Sequence, residues 1–131
     1  MNRYTFKAKR VDNGEWVCGN FINPKYIVEE LTYVSTMQFI ADCQTKSLEG
    51  VIYEIIPETL CQCTGLQDID GKDIFENDIV ENYWGSEKQI LDVRYYECGL
   101  VFTDRKDGSH RFISNAKIIG NKFDKEEDYE Y

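Results

Sequence analysis

The chain has 131 residues, 42% of them hydrophobic and 14% aromatic, enough apolar surface for one compact domain or for two small subdomains sharing a core, and too much for a disordered chain. Lys and Arg number 15 against 24 Asp and Glu, a net charge of -9, which repels phosphate backbones and anionic lipid and makes nucleic acid a poor first partner. The longest apolar runs fall far short of the roughly 20 residues of a spanning helix, so no transmembrane helix is expected.

Nine Tyr and seven Phe beside only two Pro lean towards sheet, because aromatic residues suit a pleated, half-buried surface that Pro interrupts. Three Asx-Gly pairs, Asn13-Gly14, Asp70-Gly71 and Asp107-Gly108, punctuate the chain where two-residue hairpin loops need positive φ. The first joins a run with Tyr4, Phe6 and Ala8 on alternate positions to one with Trp16, Cys18 and Asn20 on one face and Val17 and Phe21 on the other, which predicts an N-terminal hairpin. Arg3, Lys7, Lys9 and Arg10 lie in this first run. Lys7 and Lys9 alternate with the apolar residues, as on any half-buried strand, whereas a nucleic-acid groove needs exposed aromatics.

From Pro24 to Gly50 the apolar residues settle on neither period, so helix and strand both stay open. Thr32, Tyr33, Val34 and Thr36 favour strand, and Lys46–Gly50 reads as a loop. After Pro57 the pattern is a meander. Ile79-Val80 and Gln89–Val93 flank a turn at Trp84-Gly85-Ser86, and Tyr95-Tyr96 extends the later run. Leu100-Val101-Phe102 pairs through Asp107-Gly108 with His110–Ile113. Asp124–Tyr131 is densely acidic and reads as a solvated tail. The expected organisation is a β-rich subdomain over 1–56, a C-terminal unit over 57–123 and a tail over 124–131.

Thr64-Gly65-Leu66, Asp68, Gly71, Ile74, Glu76 and Asp78-Ile79-Val80 fall at the offsets of a signature that resembles the YopX-like family of phage and prophage proteins. Phe6-Lys7-Ala8, Trp16 with Gly19, and Ile118-Ile119-Gly120-Asn121 extend the likeness, while 24–50 adds nothing to it. Asn77 stands where many relatives carry Gly, and Asn is the next best residue for a left-handed backbone position. The resemblance implies a small Src-homology-type β-barrel in the C-terminal part and a phage or prophage origin, and it implies no established activity. The expected fold is therefore mainly β (β or α+β), an antiparallel C-terminal barrel with an N-terminal β-rich subdomain packed on it.

The densest polar feature is Asp68, Asp70 and Asp73 with Glu76 and Asp78 close behind, a set whose oxygens suit a hard cation. Its spacing does not match a calcium loop, since Gly71 stands fourth rather than sixth from Asp68. A turn with Asp68 capping backbone N–H groups explains the residues better. Cys61 and Cys63 share one strand face, and zinc needs further ligands where the chain has a single His. His110 lacks a nucleophile partner in any recognisable motif.

No catalytic residue, cofactor or metal is therefore assigned, and the protein is expected not to be an enzyme. The leading expectation is a phage accessory protein working through protein contacts as a homo-oligomer. Trp84 and Tyr83, with Asp78 and Glu76, are the candidate binding residues, and Tyr95 and Tyr96 are further aromatics that a small domain leaves partly unburied. Two alternatives remain. One is an inhibitor imitating nucleic acid through Asp68, Asp70, Asp73, Glu76, Asp78 and Glu81, and the other is a metal-dependent hydrolase using the same carboxylates. Five cysteines, an odd number, and the lack of an apolar leader point to the cytoplasm of a bacterial host. Thr64, Gly65, Leu66, Gly71, Asp78 and Gly120 are expected to shape the backbone.

Overall fold

A computed structural model of the chain describes residues 5–22, 38–42, 52–97 and 99–124. The expectations for Arg3, Tyr4, most of 24–50 and residues 125–131 lie outside the described residues. Those described form eleven strands and one 3-10 turn, with no α-helix among them. The protein is mainly β, and every ladder is antiparallel. The chain divides into two compact units, residues 2–62 and 63–131, with the division inside one strand.

In the first unit β1 (Phe6–Lys9), β2 (Trp16–Ile22), β3 (Gln38–Asp42) and β4 (Ile52–Ile55) pair in chain order. The β1–β2 turn holds Asn13-Gly14, and alternation puts Ala8, Val17, Ile40 and Ile55 in one core with Phe6, Phe21, Tyr53 and Leu60 packed against it. The opposite face carries the charge. Lys7 and Lys9 place their ammonium groups 4.7 and 5.4 Å from the ring centre of Trp16. Val11 N–H donates to Glu54 C=O (3.0 Å) and Ile56 N–H to Lys9 C=O (2.8 Å), and Arg10 bridges Ile55. The end of β4 is thereby brought back against the end of β1. A 3-10 turn, Pro57–Thr59, follows. The Thr59 hydroxyl accepts Lys9 N–H (2.8 Å) and donates to Ile56 C=O (2.7 Å).

β5 (Cys61–Gln67) starts in the first unit, where Cys61 and Gln62 pair with β1, and its later residues belong to the second. There it pairs with β6 (Asp73–Phe75) through a register shift between Cys63 and Gln67. The Thr64-Gly65-Leu66 motif is that irregularity. Gly65 has φ 83°, the Thr64 hydroxyl donates to Ile74 C=O (2.7 Å) and accepts Leu66 N–H (3.1 Å), and a residue without Cβ takes the left-handed corner without strain.

The rest of this unit is a five-stranded sheet of β7 (Asp78–Trp84), β8 (Glu87–Tyr96), β9 (Gly99–Asp104), β10 (His110–Arg111) and β11 (Asn115–Asn121), ordered β10-β9-β8-β7-β11. Among the described residues no ladder joins β10 to β11, so the sheet's hydrogen bonding is open between its two edges. Ile74, Val80, Leu91, Val93, Phe102 and Ala116 form its core, with Leu100, Ile113 and Ile118 against them.

Candidate functional site

Two carboxylates of the signature, Asp68 and Asp78, are bound by the protein's own amide groups. Asp68 Oδ1 accepts Asp70 N–H and Lys72 N–H, both at 2.9 Å, which fixes the Asp70-Gly71 turn. Its Oδ2 reaches Ile118 N–H on β11 (3.1 Å). Ile69 N–H from the same turn donates to Ala116 C=O (2.9 Å), so the turn occupies the outer edge of β11. Burial works to raise the Asp68 pKa, but the N–H groups of Ile118, Lys72 and Asp70 outweigh it and hold the carboxyl below its ordinary range.

Asp78 is fully buried. It takes Phe75 N–H on Oδ2 (2.8 Å) and the Asn121 amide on Oδ1 (2.9 Å), joining the β6–β7 turn to the end of β11. Asn77 in that turn is left-handed, with φ 70°. Asp73 is half-buried on β6 and meets the Gln67 amide at 3.4 Å, Glu76 is half-buried, and Asp70 is exposed. Glu81 accepts the Tyr83 phenol, and that bond holds the phenol's pKa above its usual range. Among the described residues no three His, Cys, Asp or Glu side chains are grouped to hold a metal ion. Gly120 pairs with Ile79 just past a register shift in β11.

The cysteines behave as buried small side chains. The Cys61 thiol donates to Thr59 C=O (3.2 Å), and burial raises the Cys63 thiol. Neither they nor half-buried Cys18 form a disulfide among the described residues. Cys43 and Cys98 lie outside the described residues.

An aromatic surface gathers elsewhere, around the short strand β10. Phe112 is 84% exposed and Trp84 56%, and together with Glu87, Gln89, His110 and Arg111 they line a groove of about 310 Å³. Tyr96, 50% exposed, stacks on His110 with ring centres 6.4 Å apart. On the other side of His110–Phe112 a second groove of about 380 Å³ is walled by Leu66, Leu100, Val101, Phe102 and Ile113. Of the four candidate binding residues, Trp84 lines this surface, and Tyr83, also exposed, alternates to the other face of β7 beside Glu81. Asp78 stands at the opposite end of β7 from Trp84, about 20 Å away by strand rise, and Glu76 precedes it in the turn. The four do not form one site.

Phe112 owes its position to Asn82. This buried amide on β7 donates to Phe112 C=O (3.2 Å) and to Gln89 Oε1 (3.1 Å), and its Oδ1 accepts Ser114 N–H (2.8 Å). It draws the chain off β9 after Arg111, so β10 ends before Phe112 rather than running to Ile113. The expected hairpin is correspondingly shorter. Asn82 shares a strand face with Val80, and Gln89 with Leu91 and Val93. Period-2 reading therefore marks both as inward polar residues that need partners, a signal present in the sequence and not used.

Taken together these features define an antiparallel, mainly β protein whose motif residues shape its backbone and whose exposed surface is aromatic. The chain belongs to the YopX family, whose model, described as YopX protein, matches residues 6–127. Neither the curated proteins nor the solved structures supply a match. No helix among the described residues is long and apolar enough to cross a membrane.

Proposed function

We propose that this is a phage-type accessory protein of the bacterial cytoplasm that works without catalysis, by binding protein, and that it assembles as a homo-oligomer. The observation that carries this reading is the aromatic surface around β10. Phe112, 84% exposed, is held out by a buried amide rather than by fraying, and clustered exposed apolar side chains are costly unless something covers them. The second unit also has the strand number and meander order that suit a small Src-homology-type barrel, a fold that hosts many functions and selects none.

Dynamic light scattering at several concentrations tests the assembly. The expected result is a species larger than a monomer that Phe112→Ser or Trp84→Ser dissociates, and a monomer at the highest concentration refutes that half. Affinity capture from lysogenic host cells with wild-type and Phe112→Ser baits tests the other half, which fails if both recover the same proteins. The nucleic-acid mimic has less support, because Asp68 and Asp78 turn their oxygens inward. The hydrolase loses the same two carboxylates as open metal ligands.

A further inference from the structure

The backbone of β9 has a fixed polarity. Arg105 N–H donates to Ile90 C=O on the β8 side (3.0 Å), and Asp104 N–H to Ser109 C=O on the β10 side (2.8 Å). Because N–H and C=O groups alternate along a strand, Phe102 and Leu100 point the way Asp104 does, away from β8. Phe102 meets Arg111, the last residue of β10. Leu100 lies beyond it, level with Ile113, but Asn82 has drawn that stretch away through Phe112 and Ser114. The outward N–H and C=O of Leu100 therefore have no strand beside them among the described residues. They face the groove walled by Leu66, Leu100, Val101, Phe112 and Ile113.

The chain has a net charge of -9, and of the arginines near this edge two are matched by carboxylates and one is not. Arg94 pairs with Val101 across β8 and β9, so the two side chains share the outer face. Arg105 is paired with Asp92 at 3.0 Å, and Arg111 with Asp107 at 2.9 Å. Arg94 has no carboxylate partner among the described residues. Among the described residues that line the groove, His110 and Arg111 are the ionisable ones.

We propose that the β9 edge at Leu100 is a docking site for an extended acidic peptide of a partner protein. Its backbone adds a strand against Leu100, its apolar side chains enter the groove between Leu66 and Phe112, and its outward carboxylate pairs with Arg94. The inference rests on the reading of this unit as a protein-binding module and names the chemistry of what it binds.

The test is an amide NMR titration of the full-length protein with peptides of about seven residues, a common strand length. One alternates valine with glutamate, one alternates valine with lysine, and one carries the glutamate sequence with N-methylated valines that cannot donate. The expected result is saturable movement of the Leu100 and Val101 amides with the glutamate peptide, binding about fivefold weaker for the lysine peptide, and none for the methylated one. Arg94→Glu reverses the preference and Arg94→Gln abolishes it. Three results each overturn the proposal: Leu100 unmoved by any peptide, equal affinity for the two charges, or a Leu100 amide already engaged by a second copy in the free protein. Capture lost on Phe112→Ser while the peptides fail sinks this inference alone and leaves the protein-binding reading standing.

Discussion

Replacing Asp68 by Asn removes one acceptor and little else. The Asn oxygen still takes Asp70 N–H and Lys72 N–H, as Asp68 Oδ1 does at 2.9 Å, but an amide NH₂ then stands where Oδ2 accepts Ile118 N–H at 3.1 Å. A charge-assisted bond becomes a donor facing a donor in a buried place, a cost of about 1–3 kcal/mol. The same carboxylate makes stability depend on pH. Its folded pKa lies below the ordinary value, so its stabilisation is complete above the unfolded pKa, about 4, and is lost as pH falls through the folded value. Urea denaturation at a series of pH values from neutral to acid measures both effects. The variant should have a lower midpoint at neutral pH and a shallower decline towards acid, since it has no proton to take up at this site. An unchanged midpoint at neutral pH, or parallel acid profiles, refutes the assignment of Asp68 as the acceptor joining the turn to β11.

Asn82→Ala leaves Ser114 N–H, Phe112 C=O and Gln89 without their partner, and a loss of about 2–4 kcal/mol should appear as a lower melting temperature. Gly71→Val meets no neighbouring atom at its Cβ, so its cost of about 1–3 kcal/mol comes from a β-branched residue at φ 77° and is read in the same melt. Phe112→Ser should leave the melt within about 0.5 kcal/mol of wild type at concentrations too dilute for assembly while changing the light-scattering size at high concentration. Titration calorimetry with magnesium, manganese or calcium should give no binding heat at millimolar metal, and saturable heat would return the carboxylates to consideration as ligands.

Local chemistry made much of the fold legible. Asx-Gly pairs place turns because the backbone there needs positive φ, and similar turn chemistry read Asp68 as a cap, while the left-handed reading of Asn77 came from the family resemblance. Period-2 alternation sorted Ala8, Val17 and Phe21 from Lys7, Lys9 and Trp16 without knowledge of the partner strands. The surface around β10 was illegible for a long-range reason. Nothing in His110-Arg111-Phe112-Ile113 says that the strand stops after Arg111, because the residue that stops it is Asn82, on another strand. The spread of the four candidate binding residues has a related cause. Asp78 and Glu76 lie within eight residues of Trp84 in sequence, but an extended strand separates its two ends as widely as it can.

The Asp68 turn lies along the outer side of β11, with Ile69 N–H on Ala116 C=O and the Asp68 carboxylate on Ile118 N–H. Among the described residues, templated growth of the five-stranded sheet is thus hindered on that flank, where Ala116 C=O and Ile118 N–H are already taken. A sheet whose one edge is capped in this way cannot stack strands on both sides, which biases any pairing of it towards finite complexes rather than fibrils.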